Sequence, residues 1–304
     1  MIPLESFWRL CRFFYGSFIR HREIPLIASF KLTYRCNLSC QACPFHLRAG
    51  EASAHMNKEI ALSCLDSLAG RGCPIVVFEG GEPLLWQDGD FGFSDLARYA
   101  RERFACVAVT TNGTYPLDVP TDIVWISIDG TRETHNRLRS ESFDLIMENL
   151  GNTSHKKVFA HLTLNRLNRK DIPDLIRILA AIPAIKGITV QLFYPYNQGE
   201  HSLALSGEER CDALHQILSL KHSGYPVMNS TWSLRAMMKN TWPCRSDLLA
   251  NVNPDGTIST GCYVQGRGKI DCSQCGFTPV AEASGAYRLI PGSIMAGFRI
   301  FFSA

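Results

Sequence analysis

The sequence predicts an α/β fold: a partial (β/α)6 TIM-like barrel followed by a small cysteine-rich α+β extension. Three observations predict it. Six short β-type runs alternate with helical stretches between residues 26 and 193. That order builds a parallel sheet from βα units, and right-handed crossovers curl such a sheet into a full or partial barrel. The motifs that carry chemistry fall just after those runs, at the strand ends where barrels hold their active sites. From Trp242 onward the texture changes to cysteines, glycines and turns.

The elements follow in order. Residues 4–18 set Leu4, Phe7, Trp8, Cys11, Phe14 and Phe18 at helical spacing, with Glu5, Arg9 and Arg12 elsewhere on the wheel. This is an amphipathic helix. Strands are expected at 26–32, 75–79, 107–111, 123–128, 159–164 and 188–193, and helices at 58–69, 93–104, 143–150, 172–181 and 208–223. Asn253-Pro254-Asp255-Gly256 marks a turn between two further short strands. The expected divisions are an N-terminal helix over 1–25, a core over 26–230, an extension over 231–285 and an apolar segment over 286–304.

Composition bounds the function. The chain has 304 residues, long for one compact domain and ordinary for a barrel with an appendage. Hydrophobic residues are 46% and charged residues 19%, which allows a sizeable core and excludes wholesale disorder. A net charge of +3 with no Lys/Arg run argues against nucleic acid as partner. Arg9, Arg12 and Arg20 interrupt the apolar N-terminus, so it does not read as a signal peptide, and no run is long enough to span a bilayer. A cytoplasmic location is expected.

Seven of the twelve cysteines fall in two groups: Cys36, Cys40 and Cys43, then Cys244, Cys262, Cys272 and Cys275. Close grouping in an ordinary α/β chain reads as metal binding in a reducing compartment. The other five, Cys11, Cys64, Cys73, Cys106 and Cys211, are scattered; buried inert thiols are the expectation, with Cys211 a spare candidate ligand. Cys36-x3-Cys40-x2-Cys43 follows the first strand directly, in Lys31-Leu-Thr-Tyr-Arg-Cys36-Asn-Leu-Ser-Cys40-Gln-Ala-Cys43-Pro44. Three thiolates on a short loop can ligate three irons of a cubane and leave the fourth open, as a catalytic metal requires. A zinc ion with His46 as fourth ligand is the competing reading.

The loop resembles that of the radical S-adenosylmethionine (SAM) superfamily, and further motifs match in order along residues 26–195. Gly80-Gly81-Glu82-Pro83 ends the second strand and is similar to the GGEP motif of that family. The resemblance implies that its backbone and Glu82 hold the methionyl ammonium of SAM, in keeping with glycines that let backbone approach a ligand and a carboxylate that suits an ammonium. Thr111-Asn112-Gly113 resembles the TNG stretch, and Ser127-Ile128-Asp129-Gly130 the SIDG stretch near the ribose. Arg139 falls where many members carry an arginine for the SAM carboxylate. Thr163 and Asn165 end the fifth strand on the same side. The position before the third cysteine, often an adenine-stacking aromatic, is Ala42 here, and Phe45 is the substitute.

The resemblance implies a [4Fe–4S] cluster on Cys36, Cys40 and Cys43 that cleaves SAM to a 5′-deoxyadenosyl radical, with an electron donor such as flavodoxin or ferredoxin. The cofactor carries the difficult chemistry and the protein positions it. The second group resembles the SPASM/twitch extension in its shorter form, implying one auxiliary [4Fe–4S] cluster; a four-cysteine zinc site fits the same ligands. Peptides, sugars and lipids or isoprenoids are the candidate substrates. Lipid enters through the amphipathic N-terminus and apolar C-terminus, which either pack on the barrel or contact a membrane surface. Tyr194-Pro195-Tyr196-Asn197-Gln198 either lines a substrate pocket or packs on the extension, while His135, His155 and His161 read as ordinary histidines. A non-catalytic iron–sulfur or zinc scaffold and a methyl- or alkyl-transferring enzyme are the alternatives.

Overall fold

The computed structural model describes residues 4–41, 43–196, 200–265 and 270–303. In chain order the strands are β1 (Ile27–Thr33), β2 (Ile75–Gly80), the two-residue pair β3 (Gln87–Asp88) and β4 (Phe91–Gly92), β5 (Cys106–Thr111), β6 (Ile123–Ser127), β7 (Val158–Leu164), β8 (Ile185–Leu192), β9 (Leu249–Val252) and β10 (Ile258–Thr260). The helices are α1 (Leu4–Phe14), α2 (Lys58–Arg71), α3 (Phe93–Arg101), α4 (Arg132–Leu138), α5 (Phe143–Asn152), α6 (Ile172–Ala180), α7 (Gly207–His222), α8 (Thr231–Lys239), α9 (Thr278–Tyr287) and α10 (Pro291–Phe301).

The main sheet runs β10-β9-β1-β2-β5-β6-β7-β8. Its six central strands are parallel and in sequence order, as the alternation of strand and helix predicts. Each strand alternates between two buried layers. Ala28, Phe30 and Leu32 of β1 and Val124 and Ile126 of β6 belong to the core under the helices, which includes Leu65 and Leu68 of α2. Ile27, Trp125 and Ser127 face the barrel interior. Burial on both faces is why these strands read as continuous apolar runs at the sequence level.

Helix ends follow local chemistry. The Asn57 side chain accepts from Ile60 N–H to cap α2, and Gly72 closes it at φ 94°. Ser206 and Glu209 form a capping box on α7. α3 stops at Arg101, short of the expected residue 104, because Arg103 N–H and Phe104 N–H both turn back to Ala100 O. β8 begins three residues earlier than expected, since Ile185 pairs with Val158 across a register shift. α1 continues as a π-helical turn over Tyr15–Ile19.

The extension adds to the barrel sheet. β9 pairs parallel with β1, from Ile27↔Leu249 to Phe30↔Val252, and returns as antiparallel β10 through the Asn253–Gly256 turn, with Gly256 at φ 83°. The opposite edge, β8, is closed without a strand. Ile188 N–H donates to Pro226 O, Val190 N–H to Asn229 Oδ1 and Leu192 N–H to Gly276 O, at 2.8, 2.9 and 3.0 Å.

The two terminal helices floor the barrel at the amino ends of its strands. Arg12 of α1 donates to Gly70 O, just before β2, at 3.1 Å. Lys157, just before β7, donates to Ser303 O after α10 at 2.5 Å, and Phe301 packs edge-on against Trp125. Among the described residues no helix is long and apolar enough to cross a membrane.

Candidate active site

The first cysteine loop leaves the carboxyl end of β1, and the motif after β2 runs against its stem. Gly81 N–H donates to Thr33 O at 2.7 Å and Glu82 N–H to Arg35 O at 2.9 Å. A Cβ on Gly80, at φ 129°, would sit 2.4 Å from Thr33 O, and one on Gly81 would sit 2.1 Å from Arg35 O. Only glycine allows this backbone contact.

Glu82 lies beneath the cavity wall. Oε1 accepts from Thr111 Oγ1 at 2.8 Å and Leu84 N–H at 3.0 Å, and Oε2 from Asn112 N–H at 2.7 Å. Burial pushes its pKa up to about 7 against those three hydrogen bonds. Both oxygens thus tie the end of β2 to the end of β5. Asn112 carries the tie onward: Nδ2 donates to Asn37 Oδ1 at 2.8 Å and to Cys36 Sγ at 3.6 Å, while Oδ1 accepts from Thr114 N–H at 3.0 Å. Cys36 Sγ also accepts from Leu38 N–H at 3.4 Å.

Asp129, after β6, is the second organising carboxylate. Oδ2 accepts from Arg139 Nε at 2.5 Å and Oδ1 from Thr163 N–H at 2.7 Å. Its own N–H donates to His135 Nδ1 at 3.2 Å, so His135 carries its proton on Nε2, which donates to Ser142 Oγ at 3.1 Å; Ser142 Oγ donates in turn to Arg139 O. Burial, with Arg139 adding to it, pushes the His135 pKa down to about 4. Sequence reasoning missed this role, because nothing in the spacing of His135 marks it. Burial works against the charge of Arg139, but Asp129 and the nearby Cys40 and Cys43 sulfurs hold its pKa above the usual value. The turn that follows, Ser140 and Glu141, is left-handed at φ 56° for both residues, and Ser140 Oγ accepts from Ser39 N–H in the cysteine loop.

The three thiols of the loop are therefore held from β1, β2, β5 and α4 at once. All three line one cavity of about 730 Å³. Burial raises the Cys36 pKa to about 11 and also raises that of Cys40, with Arg139 opposing the rise at Cys40. Among the described residues no three Cys, His, Asp or Glu side chains converge to seat a single ion. A cubane asks for less convergence, since each thiolate takes a different iron. Three thiols at a cavity rim, with a cation beside two of them, fit a [4Fe–4S] group on Cys36, Cys40 and Cys43.

The thiols of the second group lie near enough to one another for their charges to interact. Partial burial and the charges of Cys275, Cys262 and Cys272 push Cys244 up to about 12; burial is the largest cause of the rise of Cys275 to about 11. Two residues that the sequence did not flag hold its backbone. Asn240, at φ 50°, donates from Nδ2 to Cys272 O and Ser273 O at 3.0 and 2.6 Å. Arg210 of α7 donates to Asn240 Oδ1 at 2.6 Å and to Cys275 O. Cys211 instead points its thiol at Met238 O, 3.5 Å away. Cys64, Cys73 and Cys106 are buried.

The cavity runs from this rim through the barrel to the floor. Ser127, Asp129, Arg139 and Phe45 line it, Phe45 stacking on Tyr34 at 5.7 Å. Thr163, Asn165, Tyr194 and Tyr196 line it as well, whereas Ala42, Asn197 and Gln198 lie outside the described residues. His161 is on the wall too, its Nδ1 2.9 Å from Thr189 Oγ1, with burial pushing its pKa down to about 4.

Residues 30–179 match the family model of the Radical SAM superfamily. Among curated proteins, Fe-coproporphyrin III synthase of Methanosarcina barkeri is 32% identical over 165 residues, 50% of this chain and 40% of that one. AdoMet-dependent heme synthase of the same organism is 21% identical over 281 residues, 84% of this chain and 78% of that one. Sporulation killing factor maturation protein SkfB of Bacillus subtilis is 28% identical over 166 residues, 50% and 39% of the two chains. The matched part of this chain thus spans about 40% of the length of the first and third of these relatives. In fold, Streptococcus suis SuiB bound to precursor peptide SuiA superposes with a TM-score of 0.63 at 12% identity, covering 90% of this chain and 68% of that one. Native anSMEcpe with bound AdoMet gives 0.53 at 15%, covering 90% and 88%.

Proposed function

Starting from a chain whose residues 30–179 are a radical SAM domain, we propose that it is an enzyme that cleaves SAM reductively and removes a hydrogen atom from a substrate held in the barrel. One observation carries the reading: the Cys36, Cys40 and Cys43 loop is tied to the GGEP and TNG segments at the rim of one cavity, beside the Arg139 cation. When bound, the cluster supplies the electron that breaks the sulfonium of SAM into methionine and a 5′-deoxyadenosyl radical.

The protein's own residues do the rest. Arg139, fixed by Asp129, offers a guanidinium to the SAM carboxylate. The backbone of Gly80 and Gly81 lines the cavity and offers acceptors to the methionyl ammonium. Glu82 supports this from behind by holding Thr111 and Asn112. Ser127 and Asp129 face the ribose and Phe45 the adenine. Enclosure within the barrel keeps out water and thiols that would quench a radical.

The direct test is anaerobic reconstitution. Reduced protein forms 5′-deoxyadenosine, and Cys36→Ala, Cys40→Ala or Cys43→Ala abolishes it. Cleavage that survives all three substitutions ends the reading.

Cys244, Cys262, Cys272 and Cys275 hold an auxiliary [4Fe–4S] cluster in this proposal, one that carries electrons because four thiolates leave no iron open. The mutual proximity of the four thiols supports it. Cys262→Ala with Cys272→Ala lowers bound iron by about four atoms per chain and lowers product yield while the first cluster stays. One zinc per chain, present beside the first cluster and lost in that double variant, would refute it. A flavodoxin- or ferredoxin-type protein is the external donor. The names of the relatives divide between coproporphyrin or heme synthesis and maturation of a sporulation killing factor, so the cavity itself has to select the substrate class.

A further inference from the structure

The cavity changes character along the barrel axis. Near the carboxyl ends of the strands its inner wall carries Glu79, Thr110, Ser127, His161 and Thr189. Towards the amino ends it carries Ile27, Ile75, Val77 and Trp125. The Trp125 indole N–H is buried without a hydrogen-bond partner among the described residues and marks the changeover. Glu282 of α9 also lines the cavity; Ser230 and Ser233 hold one of its oxygens, and burial favours its neutral form.

Below Trp125 the cavity reaches the two floor helices. Phe7, Leu10 and Phe14 of α1 and Ile294, Gly297 and Phe298 of α10 line it. The same two segments also present apolar side chains to the outside: Trp8 is 63% exposed, Ile19 66% and Met295 51%. Large apolar side chains exposed on both helices at the mouth of one cavity mark an interaction surface. Its charge says which kind. Residues 1–22 and 288–304 together hold six arginines and one acidic residue, Glu5, a net +5 in a chain of net +3. The remainder of the chain is therefore at −2. Arg9 and Arg12 reach back to Glu102 O and Gly70 O, but Arg20, Arg22, Arg288 and Arg299 are exposed, and apolar residues with an indole and flanking arginines suit an anionic lipid surface.

We infer that the substrate is an amphiphile with a long apolar chain, drawn between α1 and α10 from an anionic lipid surface on which these helices rest. Its polar end lies towards the ring of Glu79, Ser127, His161 and Thr189, below the cysteine loop, and its chain fills the apolar half of the barrel. This rests on the radical SAM reading for the reaction, and on the cavity, the exposed apolar side chains and the terminal charge for the substrate class.

Two measurements on the full chain test it. The protein is sedimented with phosphatidylcholine vesicles and with vesicles that also contain phosphatidylglycerol. Binding to the anionic vesicles is expected to be tighter by at least about tenfold and to weaken with salt. Trp8→Glu and Phe298→Glu, both at exposed positions, are expected to lower it by about tenfold each. Butanol and hexadecanol, each brominated at carbon 4 so that the bromine sits beside Trp125 when the hydroxyl is at the polar ring, are then compared as quenchers of tryptophan fluorescence. Hexadecanol is expected to quench strongly and butanol weakly, with the difference lost in Trp125→Phe. It is also expected to vanish in Gly297→Phe, where a Cβ meets nothing within 4 Å and a ring narrows the floor.

A protein that stays off anionic vesicles, or is quenched equally by both alcohols, overturns the inference; equal quenching is what a compact macrocycle or peptide site predicts. Reductive SAM cleavage by the same wild-type preparation keeps the two failures apart. Cleavage without chain binding sinks only the amphiphile, and chain binding without cleavage sinks only the reaction.

Discussion

His135 and Glu82 are both fully buried, and their ionisation pulls stability in opposite directions. His135 falls to about 4 from an ordinary 6.5, so the unfolded chain binds the extra proton between those values and stability rises with pH across that window. Glu82 rises to about 7 from 4.5, so the folded chain binds the extra proton and stability falls as pH rises from 4.5 to 7. Between pH 4.5 and 6.5 the two slopes oppose each other. Urea unfolding of the metal-free His135→Gln variant should therefore lose stability as pH rises through this range, by up to about 1.4 kcal/mol per unit. Glu82→Gln should gain at a similar rate. Parallel pH profiles for both variants and the parent would contradict the assignment. The motif residues at this scale were legible because short glycine and cysteine patterns carry their chemistry with them. His135, Arg210 and Asn240 were not, because their roles exist only once Asp129 or the Cys272–Cys275 backbone has been folded against them.

The turn after β2 and the end of α2 show how an element decides what a glycine is for. A methyl at Gly81 meets the Arg35 carbonyl at 2.1 Å, and backbone cannot swing aside as a side chain can. Gly81→Ala should cost more than about 3 kcal/mol and should sharply reduce iron bound on reconstitution, because the cysteine loop loses its support. Gly70 lies in the last turn of α2 with nothing within 4 Å of its missing Cβ. Gly70→Ala should stabilise by about 0.5–1 kcal/mol. Thermal melts of the pair check both signs, and a neutral Gly81→Ala would refute the close approach. The strands and long helices were readable from apolar spacing. α4 was not, since Arg132–Leu138 has little apolar stripe; α10 was hidden because Pro291–Phe301 is apolar nearly all round.

At the scale of the molecule, barrel and extension share one buried polar joint. Lys31 of β1 is fully buried, donates to Asn251 of β9 at 3.0 Å and lies 3.5 Å from Glu79 of β2. Lys31→Met should cost about 1–3 kcal/mol, because it leaves Asn251 Oδ1 without this donor and Glu79 without this cation, and adding Glu79→Gln should recover part of the loss. With β9 laddered onto β1, the two regions should also melt as one. Far-UV circular dichroism and tryptophan fluorescence should give coincident urea transitions, and two separated midpoints would show that the extension is an independent unit. The sequence treats the extension as a separate texture, which it is in composition, yet Leu249–Val252 completes the barrel wall.

The sealed flank of β8 bears on the life of the newly made chain. An outermost strand with open amides is a template for the same strand of another molecule, and a newly made polypeptide is at most risk. Here Pro226, the Asn229 side chain and Gly276 already occupy the amides of Ile188, Val190 and Leu192. That flank therefore offers no open template from which fibrils or clumps could be seeded.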